Sequence, residues 1–239
     1  MGATTAFAAA DLRALGRDPM LRLLLLAPVA MIGALVVGVP LVEGWLAGAY
    51  DLDLRPYRPA VMAFIAAVAL PLFAGTMAGL LLLEDRESGV LPAVAVSPAG
   101  LRTYLVVRGA WTAAIGGVVT VLALLLHGGV AVAGVLVTGV LAAGCSEVVA
   151  LLVGSLAGDR LEGIAVTKAL TLPLALPVLA VALPGTLVWP FGVLPTAFPV
   201  WTLLASADGR SLWPLLFVGC AQLVVLGWLA TRRLLRRAV

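Results

Sequence analysis

Hydrophobic positions in this chain come in long unbroken runs, and polar positions gather in short clusters between them. Roughly 20 apolar residues are needed to cross about 30 Å of hydrocarbon, so run length identifies candidate membrane spans. Six runs qualify: 21–46, 61–83, 105–126, 130–157, 164–188 and 212–230. Each is expected to be a helix, because a segment in lipid must satisfy its own backbone hydrogen bonds. The first 20 residues follow a different pattern. In helical projection Phe7, Ala8, Leu12 and Leu15 fall on one side and Arg13 and Arg17 opposite. That predicts an interfacial amphipathic helix over 1–20, with a ragged start to the first span as the alternative.

The piece between the fifth and sixth runs, 189–211, is apolar enough to raise a seventh span. Pro190, Pro195 and Pro199 argue against it, since each removes a backbone donor that lipid cannot replace. It is expected to be a re-entrant or surface-lying hairpin on the outer face. Charge tests this count. With six spans, 12 of the 15 basic residues fall on the side of the termini, and only Arg55, Arg58 and Arg210 fall opposite. By the positive-inside rule both termini are expected in the cytoplasm, on a multi-pass protein of the cell membrane.

Composition narrows the class further. The chain is 63% hydrophobic and 11% charged, with a mean hydropathy of +1.16, against about 25% charged in ordinary soluble domains. Nearly all of its 239 residues are used in spans and turns, so 1–239 reads as one transmembrane domain without a soluble catalytic one. The net charge of +3 follows topology and gives no sign of nucleic-acid binding. Cys145 and Cys220 lie inside apolar runs with no metal or redox spacing.

Enzyme chemistry finds little support. The only histidine, His127, sits at an outer turn without a carboxylate or cysteine neighbour in sequence. Gly154-Ser155-Leu156-Ala157-Gly158 has its serine one position early for a nucleophile elbow. The sole lysine, Lys168, follows no glycine-rich phosphate loop. If ATP drives this protein, a separate chain binds it.

Glu147 stands out within the fourth run, about ten residues from its inner end and so roughly 15 Å deep. A charge at that depth is costly and marks a functional candidate. Ala143, Gly144 and Ala150 at helical spacing give it a small-residue face that lets another helix approach closely. One reading is a point on a translocation path or a dimer seam, with Ala143 and Ala150 beside it. The other is a protonated or hydrogen-bonded carboxyl that locks helices together. Lys168 is expected to snorkel to the cytoplasmic surface.

The region 84–103 separates the second and third runs. Glu84, Asp85, Arg86 and Glu87 open it, a short apolar segment from Val90 to Val96 follows, and Ser97-Pro98 closes it. A short helix displayed on the cytoplasmic face and flanked by charge suits docking into a partner, although an ordinary solvated loop also fits. Pro92 interrupts the segment.

These residues carry a family resemblance. Glu84-Asp85-Arg86-Glu87-Ser88-Gly89-Val90-Leu91, Val96-Ser97-Pro98 and Arg108 resemble the cytoplasmic signature of type-2 ABC-transporter permeases. Asp159-Arg160-Leu161-Glu162-Gly163 followed by Lys168 is similar to the second inner turn of short drug-export permeases, including the fluoroquinolone-export group. The resemblance implies an all-α fold with an interfacial helix, six spans and an outer hairpin. It also implies two permease subunits, identical or related, above soluble ABC ATPase subunits that bind ATP and Mg, so that this chain holds no cofactor itself. Gly89, Val90, Leu91 and Val94 would belong to the coupling segment, and Glu84, Arg86 and Glu87 would hold its base by ion pairing. The exported substrate would be hydrophobic or amphiphilic: a drug, a lipid or a lipid-linked product. Two rivals remain, an ion-coupled secondary transporter that uses Glu147 and a membrane assembly subunit that moves nothing.

Overall fold

A computed structural model describes residues 19–97, 100–183 and 188–238. The expected interfacial helix lies almost wholly outside them, as does Pro98. Among the described residues, six helices are long and apolar enough to cross a membrane: Leu26–Tyr50, Arg55–Glu87, Gly100–His127, Val132–Leu156, Arg160–Leu179 and Trp213–Arg236. They are the first to sixth spans below. Their alternation puts the 88–99 connection, the 157–159 turn and the end of the sixth span on one face, the terminal face. Segments 51–54, 128–131 and 208–212 lie on the opposite face.

The second and fourth spans form the centre, with 72% and 61% of their most apolar stretches buried. Small residues let them touch. A Cβ on Gly75 would stand 2.5 Å from the Ser146 carbonyl oxygen, and one on Gly116 of the third span 1.9 Å from the Ser146 hydroxyl. The first span contrasts sharply, with only 6% buried. Leu41, Val37 and Trp45 are more than half exposed along it, as expected of a helix that faces lipid.

Prolines shape the helices in a consistent way. A π-helical stretch, Ala63–Ala69, precedes Pro71, and another, Ala34–Gly38, precedes Pro40. The wider turn makes room for a ring that would clash with the preceding turn of an α-helix. At the end of the first of these stretches the Leu70 N–H donates to the Ile65 carbonyl. The next donor in that pattern would be residue 71, a proline, so the Ala66 carbonyl is orphaned. The buried Thr120 hydroxyl of the third span donates to it at 3.1 Å.

The fifth span is α-helical only over Arg160–Ala175 and tightens to a 3-10 helix over Leu176–Val181, earlier than its apolar run ends. Pro173 and Pro177 account for the change. In the tighter pattern the donor to the Leu174 carbonyl would be Pro177, and the buried Thr196 hydroxyl donates instead at 2.6 Å.

A short 3-10 turn, Trp189–Val193, and an 11-residue helix, Ala197–Ala207, follow. This helix is too short to cross a bilayer. It is buried through Phe198, Val200 and Leu203 against the fourth and sixth spans. Phe198 meets Gly219 beside Leu141, nine residues into the fourth span, while Ser206 meets Gly134 near that span's start. The half-length helix therefore fills the opposite-face half of the bundle. The Gln222 amide of the sixth span donates to the Gly192 and Leu194 carbonyls at 2.7 and 3.0 Å. The Gly192 carbonyl is thereby satisfied, and the Leu194 carbonyl, which also accepts the Ala197 N–H at 3.0 Å, gains a second donor.

Candidate functional site

On the terminal face the second span runs further than its hydrophobicity. Glu84 to Glu87 form its last helical turn rather than a loop, because the helix continues until Gly89 takes a left-handed φ of 78°. Glycine at that position is a common helix stop, since other residues pay for the missing freedom. The third span likewise begins at Gly100, so the non-helical connection is shorter than the charge pattern suggests.

Between them Val90–Ala95 forms the expected short helix. Pro92 is its third residue, where a backbone N–H has no intrahelical acceptor, so the proline costs no hydrogen bond. The Ser97 hydroxyl and N–H both bond the Val94 carbonyl, at 2.7 and 3.1 Å, and close the helix. Leu91 is buried in one apolar cluster with Leu82, Tyr104, Leu151 and Leu234, against which Val94 packs, and the helix contacts the second and third spans. Val90 and Val96 stay exposed, Val96 at 88%. A short helix held from below thus presents an apolar outer side.

The charged turn beneath it divides into two contacts. The Glu87 carboxylate accepts the backbone N–H of Arg160 at 2.8 Å, and Glu84 lies 3.6 Å from the Arg160 guanidinium. Both connect the end of the second span to the start of the fifth. That start is itself capped, with the Asp159 carboxylate accepting the Glu162 N–H at 2.8 Å and Glu162 accepting the Gly158 N–H at 2.6 Å. Carboxylates near a helix N-terminus satisfy orphan donors and oppose the helix dipole favourably. Arg86 is half-buried in the same turn. Arg160 bridges the two turns.

The second contact was not anticipated from sequence. Asp85 accepts from both the Tyr104 hydroxyl and the Arg108 guanidinium, whose own partners include Tyr104. Tyr104 and Arg108 are one helical turn apart on the third span and so share a face. Arg108 is therefore paired where it enters the third span. The available signal was the i, i+4 spacing of Tyr104 and Arg108 opposite an acidic run.

Glu147 lies deeper, half-buried against Gly109 of the third span, where an added Cβ would be 2.7 Å from its carboxylate. It lines a cavity of about 20 Å³ together with Arg108, Thr112 and Ala150. The polar groups thus step inward from Asp85 through Arg108 to Glu147. Ala143 packs on Gly117 of the third span, and the Ala150 carbonyl faces Gly79 of the second. Lys168 is exposed on the fifth span, two turns beyond Arg160 and apart from the junction.

An all-α bundle of six apolar spans, with most of its charged residues at the two ends of the spans, defines a multi-pass membrane protein. The family model described as the fluoroquinolones export permease protein Rv2686c-like group matches residues 11–231. The chain belongs to that family. Two curated relatives from Mycobacterium tuberculosis are each 30% identical over 236 residues, 97% of this chain and 93% of theirs. They are the fluoroquinolones export permease proteins MT2760, from strain CDC 1551 / Oshkosh, and Rv2686c, from strain ATCC 25618 / H37Rv.

Proposed function

We propose that this permease is the membrane-spanning subunit of an ATP-driven exporter of ABC type, with its terminal face in the cytoplasm of a cell-membrane protein. A separate ATPase chain binds ATP and Mg, and a second permease subunit, identical or related, completes the path. The observation that carries this reading is the double bridge from Glu84 and Glu87 to Arg160 beneath the helix Val90–Ala95. A partner that pushes on the exposed Val90 and Val96 side moves a helix whose base is joined to the second and fifth spans together. The force then reaches two spans, instead of bending a loose loop.

The substrate is hydrophobic or amphiphilic, and fluoroquinolones, named for both relatives, are the first class to try. The segment 188–207 acts as a re-entrant element on the outer side, a role favoured by its half-length buried helix and by carbonyls satisfied from within the bundle. Glu147, with Ala143 and Ala150, belongs to the path or to the seam between two permease subunits, as its half-buried carboxylate suggests. Co-expression tests the assignment. The permease is expected to co-purify with a soluble ATPase and to raise its hydrolysis in the presence of a fluoroquinolone. Drug transport by the lone chain, driven by a proton gradient, would sink it.

A further inference from the structure

The loosely packed first span leaves two cavities against the bundle on the opposite face, and Arg58 lines both. One, of about 450 Å³, is an apolar crevice walled by Gly38, Val42 and Val61, with Glu43 at its rim. Glu43 holds Arg58 by two bonds, at 3.2 and 2.7 Å. The other, of about 370 Å³, has Arg55, Arg58 and His127 in its wall. Its charged lining residues are both basic. Asp51 and Asp53 occupy the same loop but line neither cavity, and Asp53 is engaged by the Arg55 backbone N–H at 3.0 Å. Gly128 and Gly129, at φ of 74° and 77°, make the tight turn after His127 and leave open space where side chains would stand.

We infer that this pair of cavities is a binding site for an anionic phospholipid. Its phosphate sits among Arg55, Arg58 and His127, and an acyl chain lies in the crevice between the first and second spans. Three features point to a lipid rather than a free anion. The basic cavity shares Arg58 with an apolar crevice, and that crevice borders a span only 6% buried. Arg55 opens the second span and Arg58 lies in its first turn, the place along a span where interfacial arginines meet headgroups. A bound lipid would fill the gap that protein side chains leave beside the first span, and so hold that span to the bundle.

Native mass spectrometry of the full-length protein in mild detergent tests this with phosphatidylglycerol, phosphatidylcholine, diacylglycerol and glycerol phosphate as probes. Phosphatidylglycerol is expected to be retained on the order of tenfold more than the other three, as charge-assisted contacts to one phosphate allow. The double variant Arg55→Ala and His127→Ala brings it down to the phosphatidylcholine level. Arg55→Lys keeps the charge and retains most of the lipid, which separates loss of the site from loss of the fold. Arg210→Ala, basic and on the same face but outside the cavity, leaves retention unchanged. Equal retention of phosphatidylglycerol and phosphatidylcholine would overturn the site. So would an equal effect of Arg210→Ala, which would mean diffuse interfacial attraction. Binding of glycerol phosphate as tight as that of the lipid would overturn the lipid assignment.

Discussion

Charged contacts between spans lie at the two faces of the bundle, at the terminal face and in the Glu43–Arg58 pair opposite, whereas inside the opposite half the spans use neutral groups. At the terminal face Asp85 meets Arg108 and Glu87 meets Arg160, residues 23 and 73 apart in the chain. In the opposite half Thr120, Thr196 and Gln222 donate to carbonyls of other segments. Two of those carbonyls lost their backbone donors to prolines. An orphaned carbonyl inside the bundle needs one neutral donor, and a charge there would cost more than the bond returns. Near water a charge can be kept, and it reaches across a moving junction. The difference separates contacts that hold the fold from contacts that transmit movement.

Asp85→Ala should have the largest effect on stability, because it removes the carboxylate that a largely buried Arg108 pairs with. A loss of about 2–4 kcal/mol is expected, read as a lowered thermal midpoint of the purified protein. A loss of that size would set the Asp85–Arg108 contact apart from its terminal-face neighbour Glu87–Arg160 as one that holds the fold, and an unchanged midpoint would leave it among those that transmit movement. Gln222→Leu comes next, at about 1–2 kcal/mol, since it takes the Gln222 donor from the Gly192 carbonyl and one of two donors from the Leu194 carbonyl. The same midpoint measurement checks it. Thr120→Val should cost about 1 kcal/mol. That loss has a specific remedy: Pro71→Ala supplies the missing N–H to the Ala66 carbonyl, so the penalty of Thr120→Val should largely vanish in the Pro71→Ala background. Additive losses in that double-mutant cycle would show that the π-helical stretch does not create the need for Thr120.

Much of the architecture was legible in run length. Hydrophobicity located all six spans, and the prolines between 189 and 211 correctly spoke against a seventh. Helix ends were less legible, because a helix can outlast its apolar run. The second span continues through Glu87 to the glycine stop, and the fifth tightens at Pro177 while its residues are still apolar. The short helix Val90–Ala95 was readable, whereas the contacts of Glu84 and Glu87 with Arg160, 73 residues from Glu87 in the chain, were not. Asp85 could not be matched to Arg108 without the register of two neighbouring spans. Thr120 and Thr196 were hidden for a related reason. Only the altered helical pattern reveals which carbonyl a proline leaves without a donor. Gln222 had the clearest unused signal, as the only carboxamide side chain in the sequence and one placed inside a span.

Glu87→Gln should have the smallest effect on stability, within about 0.5 kcal/mol, because its carboxylate is exposed and one capping bond is merely weakened. Its effect on transport is the most direct test of the account. In proteoliposomes with the partner ATPase, the measured quantity is substrate exported per ATP hydrolysed. Glu87→Ala should lower that ratio on the order of tenfold, the scale of a lost coupling contact, while the thermal midpoint and ATPase binding stay close to those of the parent. A parental ratio with the Glu87–Arg160 bridge removed would contradict a junction that carries movement from the short helix into the second and fifth spans.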